Sequence, residues 1–87
     1  MNRETMWDDP DGNHRMEVTP KERDKMVAVA AYFRAERRGF VPGHEVEDWC
    51  QAAAIIDSML KNMREAGVTR RDYERVGLRN ALRLWTG

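Results

Sequence analysis

Several things are scarce in this chain. It has one cysteine, Cys50, among 87 residues. A single thiol forms no internal disulfide and no cysteine-based zinc site. No apolar run approaches the ~20 residues that a membrane helix needs, so no membrane association is expected. The first 20 residues are polar and acidic, unlike a signal or transit peptide. These features fit a cytoplasmic protein. There is no strand candidate, internal repeat or low-complexity stretch. There is also no glycine-rich phosphate loop, HExxH motif or Ser-His-Asp set. The expectation is therefore no enzyme: no catalytic, metal or cofactor-binding residue, no cofactor and no small-molecule substrate.

What is present is charge in balance. Charged residues make up 34% of the chain and hydrophobic ones 41%, with a mean hydropathy of -0.79. Lys plus Arg and Asp plus Glu each number 15, giving a net charge of zero. The zero hides an alternation. Residues 1–18 carry net minus three, 19–38 plus three, 39–67 minus three and 68–87 plus three. Neighbouring segments can satisfy one another, which argues against a strong general field for nucleic acid.

Residues 1–18 lack any helical or strand period, and Asp9-Pro10-Asp11-Gly12-Asn13 is dense in turn formers. They read as a flexible acidic tail in which Met6 and Trp7 could dock. Residues 19–87 read as a single three-helix domain. Thr19-Pro20-Lys21-Glu22 is a strong helix start, with a capping hydroxyl, proline at the first helical position and Glu22 placed to close a capping box. The helix should run to about Arg38, present Met26, Val29, Ala30 and Phe33 to the core, and stop at Gly39. Ala28, Ala31 and Ala35 leave room for a close neighbour.

Gly39–His44 forms the connection, with Pro42-Gly43 suited to a type II turn. Phe40 and Val41 are expected to tuck under the helix pair. The second helix should span Glu45–Ala66, its first turn made acidic by Glu45, Glu47 and Asp48. Val46, Trp49, Ala53, Ile56, Leu60 and Met63 form a heptad-like seam, widened by Cys50, Ala52, Ile55 and Met59. Thr69-Arg70-Arg71-Asp72 repeats the start logic for a third helix to about Trp85. Gly77 lies inside it and costs about 1 kcal/mol relative to alanine. The fold class is all-α: an antiparallel two-helix hairpin, a shorter third C-terminal helix and a flexible N-terminal tail.

The run Ala31-Tyr32, Ala35-Glu36-Arg37-Arg38-Gly39-Phe40-Val41-Pro42-Gly43-His44, Asp48-Trp49 and Ala52 resembles a small bacterial family catalogued as domain of unknown function, number 2934. The resemblance covers roughly residues 22–60. It implies a helix, an RG-x-x-x-G turn and a second helix opening with a DW pair, and it brings no assigned activity. One position departs: the family's pattern expects a glutamate where Ala53 stands.

Each reactive-looking group has a plainer reading. His44 and Asp48 have i, i+4 spacing, but a metal would need a third convergent ligand. Helix capping explains His44 more simply, and dipole compensation explains the acids. Cys50 lies beside the seam and reads as a buried structural thiol. Trp49 reads as the central core residue, and Met26, Met59 and Met63 as core filler.

Arg71, Arg75, Arg79 and Arg83 recur every four residues and would make one face of the third helix cationic, extended by Arg70. That face fits phosphate contact on DNA or RNA. Zero net charge and the interrupting Asp72 and Glu74 weaken that reading, and the plainer one is a solvated face paired with Glu45, Glu47, Asp48 or Asp57. A domain this small often needs help to stay folded. The leading expectation is a protein-interaction or self-association module, a homodimer or one binding a protein partner, engaged through Leu78, Leu82 and Trp85. The alternative is nucleic-acid binding through Arg71, Arg75, Arg79 and Arg83.

Overall fold

The computed structural model describes residues 16–86. The chain is all-α over this span. Helix α1 is Pro20–Arg37, α2 is Glu45–Glu65, α3 is Arg70–Val76 and α4 is Leu78–Trp85. The described residues form two compact units, one of residues 18–58 and one of residues 16–17 and 59–86.

In the first unit, α1 begins as its sequence dictates. The Thr19 hydroxyl accepts from Glu22 N at 3.1 Å, and the Glu22 carboxylate accepts from Thr19 N at 2.9 Å. This capping box satisfies two amides that the first turn would leave orphaned. The helix ends in a Schellman motif. Gly39 N donates to Glu36 O at 3.0 Å, and Phe40 N donates to Ala35 O at 2.8 Å. Gly39 takes φ 76°, the left-handed conformation this motif requires. Phe40 follows it into the same region with φ 61°, unusual for a residue with a side chain.

Two sets of ion pairs show that α1 and the start of α2 run antiparallel. Arg23, near the beginning of α1, grips Asp57 with Nε–Oδ1 2.8 Å and Nη2–Oδ2 3.0 Å. Arg34 and Arg38, at its end, meet Asp48. The core of this unit is Met26, Val27, Ala30, Ala52 and Ile56. Each fully buried Val, Ile or Met side chain contributes about 1.5–3 kcal/mol.

The expected seam holds at Ile56, Leu60 and Met63, which are buried, but fails in the first half of α2. Val46 is 78% exposed and Trp49 43% exposed, so neither is core. The buried stripe of α2 runs through Asp48, Ala52, Ile56, Met59, Leu60 and Met63. Its first member is a carboxylate, which the two arginines draw inward. Cys50 is exposed rather than buried beside the seam. On α1, Val29 is 41% exposed and the fully buried Val27 takes its place. Phe40 and Val41 are exposed as well, not tucked beneath the helices.

In the second unit, α2 closes with the same Schellman pattern: Gly67 N donates to Arg64 O at 3.1 Å and Val68 N to Met63 O at 2.9 Å. Met59, Leu60, Met63 and Ala81 are buried, as is Met16. Met16 N donates to Val68 O at 3.1 Å. Arg64 Nε donates to Met16 O at 3.1 Å, and Arg70 Nη1 donates to Glu17 O at 2.8 Å. The expected tail thus divides: Met16 and Glu17 are pinned, whereas Met6 and Trp7 lie outside the described residues.

The third expected helix is two. Thr69 caps α3, with Asp72 N donating to its hydroxyl at 3.2 Å. Gly77 then adopts φ 86° and ψ 162°, ending α3 and starting α4. That conformation belongs almost entirely to glycine, so Gly77 changes the chain's direction instead of being tolerated within a longer helix. Asn62 Nδ2 donates to Trp85 O at 2.6 Å, holding the last carbonyls of α4.

Candidate functional site

The turn Arg38–His44 gathers most of the unusual features of the first unit. It is built from the two helix ends upward. Arg38 is the C-cap of α1, and Asp48 lies in the first turn of α2, its amide bonded to His44 O at 2.8 Å. The Asp48 carboxylate is 5% exposed. Arg38 Nη2 is in close contact with its Oδ1, and Arg34 Nε lies at 3.5 Å. Arg34 Nε, Arg38 Nε, Arg38 Nη2 and Asp48 Oδ1 are all buried without a well-formed hydrogen bond among the described residues. Charge, more than alignment, holds this cluster together.

The Arg38 guanidinium against it lowers the Asp48 carboxyl pKa below its usual value; burial opposes this and Arg34 adds to it. The carboxylate is therefore ionised and already neutralised. It is a strut for the turn and has no proton to exchange near neutrality.

Beside the strut is a cleft of about 160 Å³ lined by Ala35, Phe40, Val41, Pro42, Glu45 and Asp48. Its walls are apolar and one end is acidic. Phe40 stands at its edge with its ring centroid 5.4 Å from that of Tyr32. Tyr32, Phe40 and Val41 are each more than half exposed. A left-handed phenylalanine with an exposed ring is doubly disfavoured: the backbone is strained and the apolar surface is wet. Such features cluster where a surface binds something.

The expected site residues fall as follows. His44 does not converge with Asp48. Its Nδ1 lies 3.3 Å from Glu47 Oε1, while Asp48 faces the arginines. Among the described residues no group of three or more His, Cys, Asp and Glu is placed to hold a metal ion. Leu78, Leu82 and Trp85 share the half-buried face of α4 with the buried Ala81. Leu84, not among them, is the exposed one at 62%.

Arg71 and Arg75 lie on α3 and Arg79 and Arg83 on α4, so Gly77 divides the four-residue repeat between two helices. All four are exposed. Arg83 Nη2 donates to Asn80 Oδ1 at 2.6 Å. Of their four expected acidic partners, Asp48 is engaged by Arg34 and Arg38 and Asp57 by Arg23.

Sequence reasoning missed the cleft. The visible signal was Phe40-Val41 following a glycine stop, two apolar residues in a loop. Among the described residues no helix is long and apolar enough to cross a membrane.

Residues 22–58 match the model of a family described as Protein of unknown function (DUF2934). The matched segment contains the strut, the cleft and the exposed aromatic pair. No curated protein and no solved structure matches the chain.

Proposed function

We propose, for a chain whose residues 22–58 match the DUF2934 family model, that it is a small helical protein-interaction module with its contact surface at the α1–α2 turn. One observation carries this reading: Phe40 is held in a left-handed conformation with its ring half exposed at the edge of an apolar cleft. The contact with Tyr32 covers only part of that ring, and a docking surface gains from the rest. The Arg34–Arg38–Asp48 cluster supports the reading by fixing the turn before a partner arrives, which reduces the ordering cost of binding.

The test is capture of partners on the wild-type chain and on Val41→Asp, with nuclease present. Each captured protein is then footprinted by amide hydrogen exchange on the purified chain. Partner-dependent protection of residues 40–49 that Val41→Asp abolishes supports the module. Binding that the substitution leaves unchanged rejects the turn as its surface.

A second reading, nucleic-acid binding, draws on the exposed arginines and on α4, whose sequence contains two arginines and no acid. If Arg75, Arg79 and Arg83 each contact a phosphate, replacing all three with alanine lowers the salt slope of binding by about three. An unchanged slope removes this reading.

A further inference from the structure

The cleft has a chemical counterpart on the same chain. Its walls are Ala35, Phe40, Val41 and Pro42, and its acidic end includes Glu45, which is exposed. Among the described residues Glu45 Oε2 accepts only a long bond from Gly43 N, 3.4 Å, which leaves the carboxylate available to a cation. Helix α4 offers the complementary pair. Leu84 is 62% exposed, the largest exposure of any bulky apolar side chain in the second unit. The guanidinium of Arg83 reaches Asn80, which lies one turn before Leu84. Residues 80 and 84 are neighbours on one helix face, so the cation and the leucine are presented together. No acid on α4 competes for that cation.

We propose that the cleft of one chain receives Leu84 of a second copy, with that copy's Arg83 meeting Glu45. This inference rests on the turn being the contact surface and names its occupant. The leucine supplies the apolar burial and the charge pair fixes register and encounter, as at other interfaces with complementary charge. The contact is heterologous: a cleft on one copy meets a helix on the next, so a pair joined once keeps one free helix on the first copy and one free cleft on the second.

Sedimentation equilibrium of the full chain over a range of concentrations tests it, using Val41→Asp and Leu84→Asp. Both substituted side chains are exposed, so both variants should fold, and circular dichroism checks that they do. The wild type is expected to gain mass with concentration and each variant to remain monomeric. A one-to-one mixture of the variants should form a dimer and stop there, because only one competent cleft and one competent helix meet. Glu45→Arg should weaken wild-type association by about tenfold at low salt, an effect that fades as salt is raised.

A wild type that stays monomeric throughout overturns self-docking, and the wider interaction reading then stands or falls on the footprinting experiment. Association that persists in both variants, or a mixture that fails to dimerise, places self-association on another surface and overturns the inference.

Discussion

Asp48 and Arg38 tie the two ends of the α1–α2 turn together through their side chains, the carboxylate buried beneath the cap residue of the preceding helix. This contact makes stability pH-dependent in a definite direction. The folded Asp48 pKa is depressed, so its contribution is complete above the unfolded carboxylate range. That contribution is lost as pH falls through the folded value. Asp48→Asn removes it at every pH. The melting temperatures of wild type and variant should be far apart at neutral pH and draw together below about pH 4. Asp57→Asn, at an exposed pair, should cost much less at neutral pH. Thermal melts across pH check both, and a gap that fails to narrow in acid argues against the ion pair.

The outward-facing start of the α2 seam predicts that two of its expected members behave differently on substitution. Ile56→Ala empties a fully buried site and should cost about 2–5 kcal/mol. Val46→Ala, at a position 78% exposed, should change stability by less than about 0.5 kcal/mol. Urea denaturation measures both. A large loss at Val46 would return it to the core, or to an interface that forms at the concentration used.

Gly77 predicts a purely conformational effect. A Cβ at this position meets nothing within 4 Å, so Gly77→Ala encounters no packing obstacle. Its φ of 86° with ψ of 162° nevertheless falls where alanine is strained by about 1–3 kcal/mol. The variant should be destabilised by that amount, and Gly39→Ala by about 1–2 kcal/mol for its left-handed φ of 76°. If Gly77→Ala is stabilising instead, and helicity rises, the chain has joined α3 and α4 into the single helix that periodicity alone suggests.

What was legible in the sequence was chemistry closed within four or five residues. Thr19 with Glu22, Thr69 with Asp72, and the stops at Gly39 and Gly67 all form through local hydrogen bonds that their residue types specify. What escaped depended on partners distant in sequence or on conformation. Asp48 looked like a surface acid serving the helix dipole. Only Arg34 and Arg38, ten or more residues earlier, make its burial favourable, and turning it inward carries Val46 and Trp49 toward solvent. The stripe was readable from Ile56 to Met63, but where it begins was set by an ion pair. Gly77 was ambiguous for a related reason: an isolated glycine costs a helix only about 1 kcal/mol, which a continuous helix can tolerate. The four-residue arginine repeat assumed a continuous helix, and the break ended it. The cleft escaped because it depends on Phe40 pointing outward, against the ordinary expectation for an aromatic residue.

Phe40 offers the sharpest separation of folding from binding. Phe40→Gly relieves the left-handed strain, worth about 1–2 kcal/mol for a residue with a Cβ. It also loses the tilted contact with Tyr32, about 0.5–1.5 kcal/mol, and adds chain entropy to the unfolded state, about 0.5–1 kcal/mol. These opposing effects nearly cancel, so the variant should unfold within about 1 kcal/mol of wild type. Association through the turn should weaken at least tenfold, because an edge of the cleft is gone. Paired urea denaturation and sedimentation measure the two quantities on the same preparation. Unchanged stability with lost association places Phe40 in the contact surface. If stability collapses instead, the exposed ring is chiefly a structural brace for the turn. If both quantities hold, the strained aromatic has no part in binding, and the turn loses the observation that recommends it.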